Sequence, residues 1–256
     1  MKVAILAGGM GTRLAEETEI RPKPMVEIGE RPILWHIMKQ YGHFGHNEFL
    51  IALGYRGEVI KRFFVDYYTL QGNMTVEMPH GGVVRHERDM ESWRVHLVDT
   101  GQNTMTGGRL VRMRSFLQDE PFMVTYGDGV SNVDLHELEQ FHKSHGKLVT
   151  ISAVKPPSRF GGLTFDGDLV SEFTEKPVVG EGWINGGFMI MEPEVLRYFG
   201  GDDCVMEKDV LEALARDRQL AAYRHSGFWQ CMDTIRDKRY LESLWQAGDA
   251  AWKVWE

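Results

Sequence analysis

The chain contains few of the features that mark secreted, membrane-spanning or nucleic-acid-binding proteins. Its 256 residues include two cysteines, Cys204 and Cys231, which are too few for a disulfide framework. No apolar run approaches the ~20 residues of a membrane span. No charged segment followed by a long apolar run precedes the first strand, so we expect no signal peptide and a cytoplasmic protein. The net charge of −8 argues against a nucleic-acid-binding surface.

Three familiar functional motifs are missing as well. Residues 8–11 read Gly-Gly-Met-Gly, but Leu14 stands where a G-x-G-x-x-G motif has its third glycine, and no acidic ribose ligand follows the second strand. Both absences disfavour a NAD-dependent oxidoreductase. No Gly-Lys-Ser/Thr follows, which excludes a P-loop, and the ten histidines form no H-E-x-x-H pattern and no pair with a cysteine. We therefore expect no histidine metal site.

The sequence does contain short apolar runs that alternate with helical patterns, and 43% of its residues are apolar. This alternation predicts an α/β fold with a Rossmann-like, mixed and mostly parallel central sheet that carries helices on both faces. The predicted strands lie at 3–6, 49–53, 122–126, 148–154, 162–165, 170–174, 182–191 and 220–225. The first predicted helix lies at 32–42, with Pro32 at its first position. The others lie at 57–70, 109–117, 132–145 (capped by Asn132), 205–218 and 234–248. Residues 75–100 differ, because short alternating segments follow one another there, and we predict an antiparallel insertion or extended arm.

A glycine turn and two cations form the most informative segment. Residues 6–13 read Leu-Ala-Gly-Gly-Met-Gly-Thr-Arg directly after the first strand, and Lys23 follows between two prolines. Glycines let backbone N–H groups approach phosphate oxygens and a base edge, and fixed cations offset phosphate charge. Arg13 alone is compatible with a solvated helix charge, and Lys23 alone with a loop charge. Together they predict a nucleoside triphosphate site.

Two aspartates stand at positions that favour a metal site. Asp128 lies between two glycines after the strand at 122–126, and ligands of open α/β sheets bind at the carboxyl ends of strands. Asp233 directly precedes a helical pattern. The alternatives are a turn aspartate for Asp128 and a helix N-cap for Asp233. A pair of carboxylates suits Mg²⁺, which takes few carboxylates together with phosphate oxygens and water.

Motifs along the whole chain resemble those of the sugar-phosphate nucleotidyltransferases, which join a nucleoside triphosphate to a sugar 1-phosphate. The matching segments are 6–25, 125–129 (Thr-Tyr-Gly-Asp-Gly), 175–177 (Glu-Lys-Pro), 184–188 (Ile-Asn-Gly-Gly-Phe) and 227–234 (Gly-Phe-Trp-Gln-Cys-Met-Asp-Thr). Segments 98–110 and 252–256 are similar to the glucose-1-phosphate cytidylyltransferase branch of that family. The resemblance implies a GT-A-like fold, Mg²⁺ as cofactor, and CTP and glucose 1-phosphate as substrates. It implies pyrophosphate and CDP-glucose, a precursor for deoxysugars and O-antigen (lipopolysaccharide), as products.

The resemblance also implies roles for individual residues. Asp128 and Asp233 would hold Mg²⁺, Arg13 and Lys23 would contact the triphosphate, and Lys176 would contact the acceptor phosphate. The implied nucleotide site is Leu6, Ala7, Gly8, Gly9, Met10, Gly11, Thr12, Arg13, Lys23, Thr104, Arg109, Gly127 and Asp128. The implied sugar-phosphate site is Glu175, Lys176, Asn185, Gly186 and Trp229. Thr104 and Arg109 act either in their own subunit or in that of a neighbour. An exposed helix charge is the alternative for Arg109, and core packing is the alternative for Trp229.

These inferences divide the single domain of residues 1–256 into three parts. Residues 1–70 and 107–147 form the nucleotide-binding part, residues 71–106 the β-rich arm, and residues 148–256 the sugar-phosphate-binding part. The arm, with its open strand edges and apolar side chains, predicts a homo-oligomer, a hexamer or another closed assembly, with neither a nucleic acid nor a membrane as partner. Two alternatives stay open: a uridylyl- or thymidylyltransferase that acts on another sugar 1-phosphate, and a non-catalytic nucleotide-sugar sensor.

Overall fold

The computed structural model describes residues 1–11, 14–70, 72–78, 81–86, 91–156, 162–166, 169–174 and 182–255. The strands are β1 (Val3–Leu6), β2 (Glu27–Ile28), β3 (Arg31–Pro32), β4 (Glu48–Leu53), β5 (Met74–Glu77), β6 (Gly82–Arg85), β7 (Arg94–Asp99), β8 (Phe122–Tyr126), β9 (Gly129–Ser131), β10 (Val149–Val154), β11 (Gly162–Asp166), β12 (Leu169–Thr174), β13 (Ile184–Met191), β14 (Leu220–His225) and β15 (Trp229–Cys231). The α-helices are α1 (Ala15–Thr18), α2 (Ile33–His43), α3 (Gly57–Leu70), α4 (Thr106–Arg112), α5 (Arg114–Leu117), α6 (Leu135–His145), α7 (Glu212–Arg216) and α8 (Ile235–Ala247). Lys23–Met25 and Pro193–Tyr198 are 3₁₀ turns, and Met206–Leu211 is a π-helix. None of the helices in these ranges is both long and apolar enough to cross a membrane.

A seven-stranded sheet organises the molecule, in the order β14-β10-β13-β8-β1-β4-β7. β1 pairs in parallel with β4 and β8, β4 with β7, and β10 with β14, whereas β13 runs antiparallel to both of its neighbours. The predicted mixed, mostly parallel α/β sheet is therefore confirmed. The carboxyl ends of β1, β4 and β8 meet at one edge, which is where an open sheet of this kind binds its ligands.

Helices cover both faces of the sheet, because the alternate side chains of β1 enter two separate cores. Val3 and Ile5 pack in one core with apolar residues of α2, α6 and α8. Ala4 and Leu6 pack in the other with residues of α4, α5, the π-helix and α7. All four side chains are nine-tenths or more buried. The near-continuous apolar runs of the central strands follow from this two-sided burial.

The predicted arm is only partly correct. β5 and β6 form an antiparallel hairpin with Val76 opposite Val83, which we call the arm hairpin. β7, however, is not part of an arm, because it pairs in parallel with β4 and forms one edge of the central sheet. An edge strand that is packed on one face alternates in polarity just as a hairpin strand does, so the local pattern does not reveal its partner.

Helix ends also differ from the sequence predictions. α6 begins at Leu135, and its N-cap is Asp134 rather than Asn132, because Asp134 accepts hydrogen bonds from the backbone N–H groups of two following residues. α2 begins after Pro32 and continues through the predicted stop at position 42 to His43. Residues 205–218, predicted as one helix, form the π-helix followed by α7.

Candidate functional site

The glycine turn crosses the carboxyl end of β1 and is fixed by its own backbone. Ala7 N–H donates to Ala52 O at 3.2 Å, and Tyr55 N–H donates to Gly8 O at 3.1 Å. Gly11 has φ +64°, and a Cβ there would lie 2.9 Å from Thr18, so only glycine suits this position. Gly9 is exposed, and a Cβ there would meet nothing within 4 Å. The turn is thus closed toward the protein and open toward solvent at Gly9.

Arg109 reaches from α4 to the back of this turn. Its guanidinium donates to Gly8 O at 3.0 Å, Leu53 O at 3.0 Å, Thr100 Oγ1 at 2.8 Å and Gly101 O at 2.9 Å. The residue is 5% exposed, so the alternative of an exposed helix charge is wrong. Burial lowers the pKa of Arg109 from its ordinary value. The acceptors are all neutral oxygens of its own chain, so Arg109 joins the glycine turn to the ends of β4 and β7 within one subunit.

Two glycines make room for this arginine. A Cβ at Gly8 would lie 2.1 Å from Arg109 Nη1, and a Cβ at Gly54 would lie 2.6 Å from the same atom. Position 8 therefore has to be glycine, because the Arg109 guanidinium occupies the space where a side chain would lie. Thr104, the other predicted nucleotide contact on this side, is 6% exposed and packs beside Gly101 and Gly108.

A short strand pair brings the two aspartates together. β9 and β15 pair in antiparallel register, and Met232 N–H donates to Asp128 O at 2.8 Å. The alternative that Asp233 caps α8 is wrong, because Thr234 is the cap. Thr234 Oγ1 accepts from Asp237 N–H at 3.2 Å, and the Asp237 carboxylate accepts from Thr234 N–H at 2.9 Å, which is a complete capping box.

Lys23 lies between the two carboxylates. Its Nζ lies 2.6 Å from Asp128 Oδ2 and 2.6 Å from Asp233 Oδ1. The lysine is 8% exposed, and burial alone would lower its pKa. The charges and hydrogen bonds of the two aspartates outweigh burial and raise the pKa of Lys23 above its ordinary value, so the ammonium stays charged. The glycine turn, the cation and the carboxylates thus form one site.

A cavity of about 210 Å³ opens between these groups. Its lining comes from the end of β1, the glycine turn, the Lys23–Met25 turn and the end of β8. The lining residues are Leu6, Ala7, Gly9, Gly11, Lys23, Pro24, Gly127 and Asp128. Seven of these eight residues belong to the predicted nucleotide site, and the eighth is Pro24. Lys23 and Asp128 carry the charges, and the other five contribute backbone. The cavity therefore offers backbone amides, one cation and one carboxylate to a ligand.

Three predicted acceptor residues lie on the adjoining strands. Asn185 Oδ1 accepts from Gly187 N–H at 2.9 Å, and Asn185 Nδ2 lies 3.5 Å from the Tyr126 hydroxyl. Trp229 Nε1–H donates to Gly186 O at 2.7 Å, and its partly buried ring packs against one of the two cores. The indole N–H of Trp229 is thus engaged by the protein.

The structure also identifies residues that the sequence did not. Tyr126 lies beside Asn185, and its hydroxyl donates a hydrogen bond to Glu207. Tyr126 belonged to a quoted motif but was assigned no role, and nothing in the sequence marks Glu207. Thr12, Arg13, Glu175 and Lys176 lie outside the described residues. Within the described ranges, no group of three or more His, Cys, Asp and Glu side chains is arranged to hold a metal ion.

The chain is similar to known proteins over its whole length. Residues 2–246 match the family model described as nucleotidyl transferase. The chain is 49% identical to the glucose-1-phosphate cytidylyltransferase of Salmonella typhi, and the alignment covers 100% of both chains. It is 41% identical to a probable glucose-1-phosphate cytidylyltransferase of Bacillus subtilis, again over 100% of both chains. Among solved structures, HddC from Yersinia pseudotuberculosis superposes with a TM-score of 0.68 at 22% identity, covering 95% of this chain and 99% of that one, which shows a shared fold.

Proposed function

Because the chain belongs to the nucleotidyl transferase family, we propose that it transfers a cytidylyl group from CTP to α-D-glucose 1-phosphate, giving CDP-glucose and pyrophosphate. The observation that carries the proposal is the full-length similarity, at 49% identity, to the Salmonella typhi enzyme of that name. The cavity supports it, because backbone amides, the buried Lys23 and Asp128 line it, and Asp233 pairs with the same lysine.

The reaction is an in-line displacement at the α-phosphorus. An oxygen of the sugar 1-phosphate forms the new bond to this phosphorus, while the bond to the bridging oxygen of the β-phosphate breaks and pyrophosphate leaves. The attacking phosphate monoester is largely ionised at neutral pH, so the reaction requires no general base. Both reactants are anions, and catalysis therefore rests on positioning and charge neutralisation.

The glycine turn and the cations are assigned to the triphosphate. The base lies at the open side of the turn, over Gly9 and beside Gly8, whose carbonyl is fixed by Arg109. Arg109 serves the nucleotide through this turn, within its own subunit. Lys23 lines the cavity and contacts the α-phosphate, and Arg13 contacts the β- and γ-phosphates and favours the leaving pyrophosphate.

The aspartates are assigned to Mg²⁺, and their geometry fits this ion. Both carboxylates approach one ammonium nitrogen at 2.6 Å, so they are close enough to share a single cation. Two carboxylates leave several positions for phosphate oxygens and water, which is the ligand set that Mg²⁺ prefers. Mg²⁺ would supply charge neutralisation for the reacting phosphates when bound. Asp128 and Asp233 would hold it, and Lys23 would then contact the α-phosphate in place of the carboxylates.

The acceptor is assigned to the strands on the far side of Asp128. Asn185 has an amide N–H for a sugar hydroxyl, and Gly186 and Trp229 complete that side. Glu175 and Lys176 are assigned to the sugar and to its phosphate.

We assign the arm hairpin to a subunit interface in a closed homo-oligomer, for which a hexamer is one arrangement. Both faces of the hairpin are exposed, with Val76 at 48%, Met78 at 83%, Val83 at 54% and Val84 at 52%. An isolated two-stranded hairpin is marginally stable in water, and exposed apolar patches commonly mark interfaces. The family resemblance favours a second copy of the chain as the partner that covers the arm hairpin.

Pyrophosphate release tests the reaction, measured over a grid of CTP, UTP, dTTP and GTP with several hexose 1-phosphates. We expect the highest kcat/KM for CTP with glucose 1-phosphate, and no turnover when a chelator removes divalent cations. Faster turnover with UTP or dTTP would overturn the assignment of cytosine as the base and would still support nucleotidyl transfer to a sugar 1-phosphate. Tight CTP or CDP-glucose binding without turnover of any hexose 1-phosphate would instead favour the sensor alternative.

A further inference from the structure

A chain of side-chain hydrogen bonds ends at the amide of Asn185. The Tyr126 hydroxyl lies 2.5 Å from Glu207 Oε1, and Thr106 Oγ1 donates to Glu207 Oε2 at 2.7 Å. The Thr106 hydroxyl can give its single proton to Glu207, because the same oxygen accepts from Met206 N–H at 2.9 Å. Both oxygens of the Glu207 carboxylate are therefore engaged.

The proton of Tyr126 is committed to Glu207 as well. The Tyr126 hydroxyl has a single proton, and it faces Glu207 Oε1. A carboxylate only accepts hydrogen bonds, and the phenol must be the donor of the pair. The lone pairs of the Tyr126 oxygen are left for a donor on its other side, which is Asn185 Nδ2 at 3.5 Å.

This arrangement permits one orientation of the Asn185 amide. Oδ1 accepts from Gly187 N–H at 2.9 Å, while Nδ2 faces a phenol oxygen whose proton points elsewhere. A flipped amide would set an N–H group against Gly187 N–H and an oxygen against the Tyr126 oxygen. Two donor–acceptor contacts would then become two like-to-like contacts.

Packing also restricts the positions of Tyr126 and the backbone after Asn185. Gly187 has φ +84°, and a Cβ there would lie 2.6 Å from the Tyr126 ring, so the ring rests directly on the β13 backbone two residues after Asn185. Tyr126 ends β8 two residues before Asp128, and Glu207 lies on the π-helix Met206–Leu211. Irregular turns of this type occur frequently at functional sites.

We propose that Tyr126 and Glu207 are positioning residues for the acceptor sugar. They hold the Asn185 amide so that its second N–H donates to a hydroxyl of the sugar 1-phosphate. This inference rests on the proposed function in one respect, namely that Asn185 contacts the acceptor. Neither residue lines the cavity that is assigned to the triphosphate, so their loss should affect acceptor affinity rather than the chemical step.

The test is the effect of Tyr126→Phe on the two Michaelis constants. The variant keeps the ring on Gly187 and removes only the hydroxyl. We expect KM for glucose 1-phosphate to rise on the order of tenfold, as for one lost hydrogen bond. KM for CTP should change less than about twofold.

Glu207→Gln, which adds a competing N–H donor opposite the phenol, should also raise KM for glucose 1-phosphate. Tyr198→Phe is the matched control, because it removes an exposed tyrosine–carboxylate bond to Asp217, and both KM values should stay unchanged.

A double-mutant cycle separates positioning from loss of structure. In an Asn185→Ala background, Tyr126→Phe should have no further effect on KM for glucose 1-phosphate. Equal rises in both KM values, or full additivity with Asn185→Ala, would overturn the proposal. Calorimetric titration of the wild-type protein with glucose 1-phosphate in the presence of CMP shows which premise fails. No binding by the wild type would overturn the proposed function itself, whereas binding that Tyr126→Phe leaves unchanged would overturn only the positioning role.

Discussion

Lys23 Nζ lies 2.6 Å from Asp233 Oδ1, although the two residues are 210 positions apart in the chain. The same nitrogen lies 2.6 Å from Asp128 Oδ2, so a cation of the protein itself pairs with both proposed metal ligands and neutralises part of their charge. A divalent cation that binds between these carboxylates has to displace the ammonium. A triphosphate in the cavity offers Lys23 another anion, and metal and nucleotide binding should therefore favour each other.

Lys23→Met should bind a divalent cation more tightly than the wild type when no nucleotide is present. The variant removes the competing ammonium and leaves both carboxylates, and we expect Mn²⁺ affinity to rise on the order of tenfold, or ~1.4 kcal/mol. Free Mn²⁺ is counted by electron paramagnetic resonance. Lys39→Met, which breaks an ion pair with Glu91, is the control and should not alter Mn²⁺ binding. Equal Mn²⁺ affinity in Lys23→Met and the wild type would show that Lys23 does not compete for the site.

Asp128→Asn and Asp233→Asn should fold normally and lose most activity. Each variant removes one negative charge from the proposed Mg²⁺ site and one partner from Lys23. We expect kcat to fall on the order of 10²-fold or more, as for the loss of a principal electrostatic group. The measurement is the steady-state rate across a Mg²⁺ titration, with circular dichroism as the check on folding. Near wild-type rates for Asp233→Asn at saturating Mg²⁺ would remove that residue from the metal site.

Gly8 and Gly9 should respond differently to alanine. A Cβ at Gly8 collides with the buried Arg109 guanidinium, whereas a Cβ at Gly9 meets open space. We expect Gly8→Ala to lower the melting temperature by several degrees and to weaken CTP binding at least tenfold, since loss of a buried hydrogen-bond network costs about 1–3 kcal/mol. Gly9→Ala should leave the melting temperature unchanged.

The double variant Gly8→Ala/Arg109→Ala gives the decisive comparison. Removing the guanidinium relieves the collision, so the second substitution should destabilise the Gly8→Ala protein less than it destabilises the wild type. Strictly additive losses of stability would show that the two residues do not conflict.

The sequence was sufficient to predict most strands and helices, because the central strands are buried on both faces and read as apolar runs. It was not sufficient for β7, whose alternating pattern suits an edge strand of the sheet as well as a hairpin. The surroundings of Arg109 could not be predicted from the sequence either. Its acceptors come from Gly8, Leu53 and the segment 100–101, and no local pattern reports that carbonyls of separate segments will surround one guanidinium. Glu207 was missed for the same reason.

The buried His36 should make stability depend on pH. Its Nε2 lies 2.8 Å from Ile28 O, Trp252 Nε1–H approaches its Nδ1 at 3.4 Å, and the side chain has no exposed surface. Burial lowers the pKa of His36 to about 4, and the nearby Glu242 and Arg31 act in opposite directions. The pKa of His36 in the folded state lies below the ordinary 6.5, so the unfolded state binds the proton more readily. The contribution of neutral His36 to the free energy of unfolding is therefore complete above pH 6.5 and is lost as the pH falls toward 4.

Between pH 6.5 and 4, His36 should lower the free energy of unfolding by about 3 kcal/mol. Denaturant unfolding of the wild type and of His36→Gln at several pH values between 7.5 and 4.5 measures it as the difference between two pH profiles. His36→Gln should show a flatter profile. The exposed His43→Gln is the control and should follow the wild type. Parallel profiles for His36→Gln and the wild type would mean that His36 takes up its proton equally well in the folded state.

The arm hairpin should control assembly. Val76 and Val83 face each other across β5 and β6, and both are about half exposed. Val76→Glu with Val83→Lys replaces an apolar pair by an opposite-charge pair, which preserves cross-strand attraction within the hairpin while it removes the apolar surface. We expect this double variant to dissociate at micromolar concentration where the wild type remains oligomeric, as measured by multi-angle light scattering. Tyr240→Lys, which alters an exposed side chain on α8, should keep the wild-type mass. A monomeric wild type would contradict the assembly, and an unchanged mass for the double variant would place the interface elsewhere on the chain.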